Sequence, residues 1–246
     1  FCLVRAVQEN GKLVYRTELL GIEGIRLPTI DLYEPSLAEG NHRVQPSRVA
    51  ELARTLAELR LAAWVMPELP KGAFLVRDGD LHAHTLYEQN SLRELYERAR
   101  IQGVTVAGVS KTSMLLMDTG HGALPFLMAK GPVTAWYYHP IATSTRPDHQ
   151  ASVCVAKLHA RARHAFRIDI HDEHLPFLQD LMVQLATESQ DAAFLGYPYG
   201  LTEADRYARI SEDERALLRA KIEVFFGQLK AQEASLNAHD ALNKAV

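Results

Sequence analysis

An aspartate that closes a short apolar run and precedes a glycine is placed to meet a ligand. Asp78 follows the run Ala73–Arg77 and is succeeded by Gly79 and Asp80. Strand ends in open α/β sheets are where ligands and metals gather, and a carboxylate there suits a hard cation such as Mg²⁺ or Mn²⁺. The competing description is an ordinary Asp-Gly turn. Upstream, Glu51 and Glu58 share one helical face, turned away from the leucines. Glu51 has Arg54 and Thr55 as helical neighbours and reads as solvated. Glu58 has Leu61 and Ala62, and a carboxylate flanked by apolar groups is the better candidate for use. A surface ion pair of Glu58 with Arg54 is the plain alternative. Lys111 follows a second apolar run and heads a Ser/Thr-rich turn. A lysine there can neutralise phosphate or transition-state charge, or it is a loop lysine.

Lys157, His159, Arg161, Arg163, His164 and Arg167 fall in one stretch that contains no acid. Leu158, Ala160 and Ala162 alternate with the basic residues, so on a strand one face would be basic, an electrostatic footprint for a phosphate backbone. A charged edge strand guarded against aggregation has the same pattern. His171 and His174 stand three apart without a third ligand in a recognised zinc pattern, and His82 and His84 follow Asp78 closely. Gly196-Tyr197-Pro198-Tyr199 is a rigid turn, followed at helical reach by Glu203, Asp205, Arg206 and Arg209. Tyr197 and Asp205 can converge on one site across such a turn, or they serve a simple helix entry with surface charges.

These residues need elements to hold them. Residues 2–7 and 12–19 predict a hairpin around Glu9-Asn10-Gly11. Residues 21–46 are rich in Gly and Pro and read as irregular or mobile. Ser47 is placed to cap a helix to about Val65, with Val49, Leu52, Leu56, Leu59 and Ala63 as its apolar stripe. Ser91 with Glu94 predicts a capping box for a helix to about Ile101, stopped by Gly103. Strands are expected at Ala73–Arg77, Val104–Val109 and Val133–Tyr138, then a second hairpin from Ser152–His159 and His164–Ile170. Helices are expected at Pro176–Glu188, Thr202–Ile210 and from Ser211 to about Lys230, with a tail at 231–246 that frays. The order predicts one mixed-sheet α/β domain over 1–246.

The 246 residues are 47% apolar and 23% charged, ordinary values for a globular protein, which exclude a disordered, collagenous or rod-like chain. Lys+Arg 27 against Asp+Glu 30 gives a net charge of −3, so a nucleic-acid surface has to be a local patch. Two cysteines make no disulfide framework, and a cytoplasmic location is the default expectation. No apolar run approaches the roughly 18 residues of a membrane span.

In their order and spacing, LVRDGDL (Leu75–Leu81), VSKTS (Val109–Ser113), RID (Arg167–Asp169) and GYPYGLTEADRYARI (Gly196–Ile210) resemble the NurA nuclease family, the partner of the HerA DNA translocase. The resemblance runs from the opening hairpin to about Ile210. It implies an RNase H-like α/β fold, a mixed sheet flanked by helices with further helices at the C-terminus. It also implies cleavage of DNA with Mn²⁺ or Mg²⁺, through two ions. Carried over, Asp78 is the strand-borne ligand and Glu58 the helix-borne one, with Glu51 as the alternative. Tyr197 matches the family's active-site tyrosine. Where the family often has a histidine beyond that tyrosine, this chain has Asp205, which can itself ligate a hard cation. Lys111 would offset charge on the scissile phosphate, and Lys157, Arg161, Arg163 and Arg167 would guide the strand. The implied activity is 5′→3′ exonuclease on single- and double-stranded ends plus endonuclease on single strands. The implied assembly is a homodimer on a hexameric HerA ATPase, in DNA-end resection for recombinational repair. There is no P-loop in the chain, so ATP hydrolysis would fall to that partner.

The family's first metal-binding aspartate, in an Asp-Gly-Ser segment on the first core strand, has no counterpart here. The chain opens at Phe1 on what reads as the second strand, and the expectation is that the aspartate lies upstream. Asp31, in a Pro/Gly-rich stretch and not followed by Gly, is no substitute. Two rival expectations remain: a DNA-binding subunit without catalysis, and a metal-dependent hydrolase of small phosphoesters.

Overall fold

The computed structural model describes residues 2–19, 27–30, 38–39, 43–44, 46–142 and 148–236. Asp31, most of the irregular stretch 21–46 and the tail beyond Leu236 lie outside them. Two compact units are present, residues 1–207 and 208–246.

Asn10 and Gly11 both adopt positive φ, 51° and 75°. Their mirror-image turn matches the twist of the flanking strands, and β1 (Cys2–Glu9) pairs antiparallel with β2 (Lys12–Leu19) along its full length. This hairpin forms a two-stranded sheet of its own and does not join the main sheet. A second small ribbon joins β3 (Ala38–Glu39) to β4 (Arg43–Val44).

The first long helix, α1, covers Pro46–Val65. It starts one residue ahead of the expected Ser47 cap, because proline's fixed φ and missing N–H suit a first helical position. Its stripe behaves as the spacing predicts: Leu52, Leu56, Leu59 and Ala63 are buried and Val49 is half-buried. Each buried leucine is worth about 1.5–3 kcal/mol, so the stripe sets the helix rotation. The same rotation turns Glu51 and Glu58 to the opposite side.

A βαβ unit follows: β5 (Phe74–Asp78), α2 (Leu86–Gln102) and β6 (Thr105–Ser110), with β5 and β6 parallel and Asp78 opposite Val109. The cap of α2 differs from expectation. Thr85, not Ser91, is the N-cap: its hydroxyl accepts from the Glu88 N–H, and the Glu88 carboxylate accepts from the Thr85 N–H at 2.7 Å. Ser91 is buried inside the helix, and Glu94 pairs with Arg98 at 3.0 Å. Gly103 ends the helix in the left-handed conformation, as expected.

A short helix, α3 (Ala123–Lys130), was not expected from the sequence. Pro125 lies in its first turn, where the missing N–H has no helical partner to lose. The strand after it, β7 (Trp136–Ala142), begins three residues later than the Val133 start expected for it. The second hairpin is present as β8 (Ala151–Lys157) and β9 (Phe166–His171).

The main sheet has the order β5-β6-β9-β8-β7; β5 and β6 are parallel, and the other neighbours are antiparallel. Every residue of β6 is buried, because the sheet is covered on both faces. On one face Val104 and Val106 pack with Leu59, Leu92 and Leu95 of α1 and α2. On the other, Ala107, Val109, Ile168 and Ile170 pack with Leu181 and Leu185 of α4 (Leu178–Glu188) and with Tyr197. The chain enters α4 through a tight turn at Asp172–Phe177 that absorbs Pro176. Helix α5 covers Tyr199–Ala208, beginning three residues before the expected Thr202. In the second unit α6 covers Glu212–Leu236, and its Glu214 N–H donates to the Ser211 hydroxyl, which caps the helix where its start was expected. Among the described residues no helix is long and apolar enough to cross a membrane.

The two capping patterns on α2 make opposite predictions. Replacing Thr85 by Ala should cost about 1 kcal/mol in urea-induced unfolding, the usual worth of an N-cap hydroxyl. Glu94→Ala should cost no more than the few tenths of a kcal/mol of an exposed i,i+4 pair.

Candidate active site

Asp78 is the exposed last residue of β5, a half-buried strand at the edge of the main sheet. The parallel register sets Val109 beside it, so Lys111, two residues further on, reaches the Asp78 Oδ2 with its Nζ at 2.8 Å. Tyr197 donates its hydroxyl to Oδ1 at 3.2 Å from the opposite face of the sheet. Lys111 Nζ also lies 5.2 Å from the centre of the Tyr197 ring. From α1, Glu58 accepts from Arg77 Nε at 3.2 Å, with Arg54 at 4.0 Å. Glu51, Glu58, Arg77, Asp78, Asp80 and Lys111 all line one cavity of about 940 Å³.

The structure therefore brings Glu58, Asp78 and Lys111 together and adds Tyr197 through its hydrogen bond to Asp78. Glu51 opens into the same cavity but is exposed; Glu58 is half-buried between two arginines. Asp205 is not among the cavity-lining residues. It is half-buried on α5, and its charge still reaches Tyr197. Burial, the Asp78 carboxylate and the field of Asp205 all push the Tyr197 hydroxyl well above the ordinary tyrosine range. Tyr197 is thus an O–H donor at every physiological pH, not a phenolate base.

The Gly-Tyr-Pro turn has a specific reason for its glycine. Gly196 has φ of +92°, and a Cβ there would overlap the Ala162 side chain. The turn lies flat on the β8–β9 loop, and Tyr197 is held between Phe166 and Phe194, with ring centres 5.1 and 5.6 Å away.

That loop corrects the expected basic face. Residues 158–165 form no strand, so the period-two pattern does not line up its charges. Leu158, Ala162 and Ala165 are buried beneath the loop, while Arg161 and Arg163 are exposed on it. Lys157 is buried and donates to the Val133 carbonyl at 3.2 Å. Arg167 turns inward onto Asp169 and Asp80. His171 and His174 are core histidines. His174 Nδ1 accepts from the Val106 N–H at 3.1 Å, and the His171 ring stacks on Tyr96 at 3.9 Å. Burial pushes both imidazoles below their ordinary range.

One group, the aspartate of the RID stretch, was given no role of its own from the sequence. Asp169, with no exposed side-chain surface, accepts from Arg167 Nε and NH2 at 2.7 Å each and from the Leu81 N–H at 3.1 Å. His149 Nε2 lies 3.0 Å from the same carboxylate and must donate, because an ionised carboxylate only accepts. Burial alone would raise this carboxyl group; the bonds from His149, Arg167 and Leu81 outweigh it and hold the group below the usual carboxylate range. The sequence signal was available: Arg167 and Asp169 are two charges on one face of a strand whose other face, Phe166, Ile168 and Ile170, is apolar.

No cluster of three or more His, Cys, Asp or Glu that could hold a metal is present among the described residues. The cavity does offer the carboxylates of Glu58 and Asp78, whose hard oxygens are the donors Mg²⁺ and Mn²⁺ take. These ions are commonly held by one or two carboxylates together with water and substrate phosphate. By donor chemistry the pair fits such an ion.

Two outcomes follow from this geometry. Gly196→Ala should lower stability by about 1–3 kcal/mol through backbone strain and overlap; adding Ala162→Gly should recover the steric part and leave the φ cost, both read by urea unfolding. The Asp169 carboxyl is depressed in the folded state, so its contribution is present above the unfolded-state carboxylate range and is lost as pH falls through the folded value. Unfolding free energy should therefore drop as pH falls below about 5, and the drop should be shallower in Asp169→Asn.

No protein-family model matches the chain, and no curated protein matches it. Among solved structures, the crystal structure of the NurA nuclease from Sulfolobus solfataricus is similar at a TM-score of 0.57, over 94% of this chain and 83% of that one, with 15% sequence identity. This chain has a NurA-like fold, a mixed α/β sheet flanked by helices.

Proposed function

We propose that this chain is a metal-dependent nuclease that hydrolyses DNA phosphodiester bonds at the cavity between α1 and the ends of β5 and β6. The observation that carries this is the pair Glu58 and Asp78: two carboxylates from separate elements open into one cavity, beside Lys111 and a buried tyrosine hydroxyl. The NurA-like fold supports the same reading. Glu58 and Asp78 would hold the cation, which when bound activates water and offsets charge at the phosphate. Lys111 meets the scissile phosphate. Tyr197 orients the Asp78 carboxylate through its O–H, and Asp205 acts on the site through Tyr197. Arg161 and Arg163 attract the sugar-phosphate backbone; Lys157 and Arg167 instead hold the protein around them.

On this reading the substrates are single-stranded DNA and duplex ends. The chain acts as a 5′→3′ exonuclease and single-strand endonuclease, as a homodimer beside a hexameric HerA-type ATPase in DNA-end resection. Two Mn²⁺ or Mg²⁺ ions would complete the site. A second reading, a DNA-binding subunit without catalysis, is favoured by one observation: Arg77 and Lys111 already oppose Glu58 and Asp78.

Degradation of a labelled single-stranded oligonucleotide in Mn²⁺ separates the two. The nuclease reading expects Asp78→Asn and Glu58→Gln each to slow cleavage by about a hundredfold or more, with DNA affinity retained and falling steeply with salt. Unchanged cleavage in Asp78→Asn would refute it, and a wild-type chain that binds DNA without cutting it would establish the second reading.

A further inference from the structure

The backbone that leaves β5 does not turn away from the sheet. Gly79 donates its N–H to the Val109 carbonyl at 2.9 Å, which keeps it on β6. Its own carbonyl then lies over Gly108, where a Cβ would overlap it. Gly108 is the register partner of Asp169 on β9. The strap from Gly79 to Leu81 therefore crosses β6 at its one residue without a side chain and ends with the Leu81 N–H on the Asp169 carboxylate, 3.1 Å away. Leu81 is fully buried, so the anchor is inside the protein.

Arg77 ties the strap to Glu58, and the chain itself ties it to Asp78. Arg77 donates to the Asp80 carbonyl at 3.0 Å and to Glu58 at 3.2 Å, so one guanidinium joins the strap to α1. Arg167 bridges Asp169 to the Asp80 carboxylate, 3.6 Å away. Asp78 is the residue that precedes the strap.

Resting on the nuclease reading, we infer that Asp169 is a positioning residue: it anchors the Gly79–Leu81 strap across Gly108 and thereby holds Asp78, and through Arg77 also Glu58, in the geometry that the cation needs. Asp169 touches neither the cavity nor a substrate in it. In Asp169→Asn one carboxylate oxygen becomes an N–H that faces other donors, so Leu81, His149 and Arg167 compete for a single neutral oxygen and the bond that fixes Leu81 is weakened.

The anchor is tested without metal or DNA. In Asp169→Asn the Leu81 amide should exchange with solvent about tenfold faster or more, while the Val106 amide of β6 keeps its protection. The link to the site is tested by titrating Mn²⁺ alone and by steady-state cleavage. The Mn²⁺ dissociation constant should rise about tenfold or more, and kcat should fall while KM for DNA stays within about twofold. Gly108→Ala pushes on the strap from beneath and leaves the Asp169 carboxylate chemically unchanged. It should show the same three changes, and it decides the matter if Asp169→Asn fails to fold. Unchanged Leu81 exchange and Mn²⁺ affinity in a folded variant would overturn the inference while leaving the nuclease reading intact. A wild-type chain that neither binds Mn²⁺ nor cleaves DNA would instead overturn the nuclease reading, and the exchange result would still decide the anchor.

Discussion

A carboxylate with no exposed surface lies beneath the turn that carries Asp78, and the architecture around the cavity is arranged to keep it charged. Removing an ion from water costs several kcal/mol, and a partner returns this only when the geometry is good and the remaining lone pairs are filled. Asp169 meets both conditions. Arg167 approaches as a two-pronged donor, and His149 and the Leu81 amide take the remaining positions. Such an assembly has little freedom. It needs β9 in register with β6, a bare Gly108 beneath the strap and His149 brought onto the carboxylate. The central strands and the cavity rim are thus parts of one constraint.

At the rim the electrostatics are of another kind. Asp78 and Lys111 are both about two-fifths exposed, so their pair is a solvated contact of modest worth. It can open. Glu58 and Arg77 are more enclosed. On the proposed reading Asp78 would hold a cation in place of Lys111, whose ammonium would then be free to meet a phosphate. Tyr197 stays on the carboxylate throughout, because its hydroxyl remains protonated. A neutral donor keeps the orientation of Asp78 without adding a charge that would repel the ion.

Much of this was legible in the residues. Asn10-Gly11 specifies its turn by backbone sterics alone, and the leucines of α1 specify the helix rotation that points Glu58 at the cavity. Asp78, Lys111 and Tyr197 are marked by their positions at the ends of apolar runs or in a rigid turn. Failures came where one local pattern had two physical outcomes. Thr85 with Glu88 and Ser91 with Glu94 carry the same capping signature six residues apart, and only burial of Ser91 in the helix body separates them. The alternation around Arg161 mimics a strand, but Leu158, Ala162 and Ala165 bury together and close the segment into a loop instead. Pro125 hid α3 because a proline is compatible with a first turn. The anchoring role of Asp169 was missed for a different reason: local spacing shows Arg167 and Asp169 on one strand face, but the Leu81 amide that Asp169 holds stands 88 residues away along the chain.

The Gly196–Ala162 contact shows how the two halves of the proposed function come to depend on each other. Ala162 sits between Arg161 and Arg163, and its burial is what leaves both arginines facing solvent. The surface that receives Ala162 is Gly196, the residue that starts the turn presenting Tyr197 to Asp78. One close approach between a methyl group and a bare backbone therefore sets the height of the basic loop and the reach of the tyrosine together. Widening that contact by a single methyl would shift both at once. Neither the charge on the loop nor the hydroxyl on the carboxylate can be tuned independently while the two segments remain packed. On the proposed function, this coupling would keep the exposed arginines of the loop in register with the two cavity carboxylates.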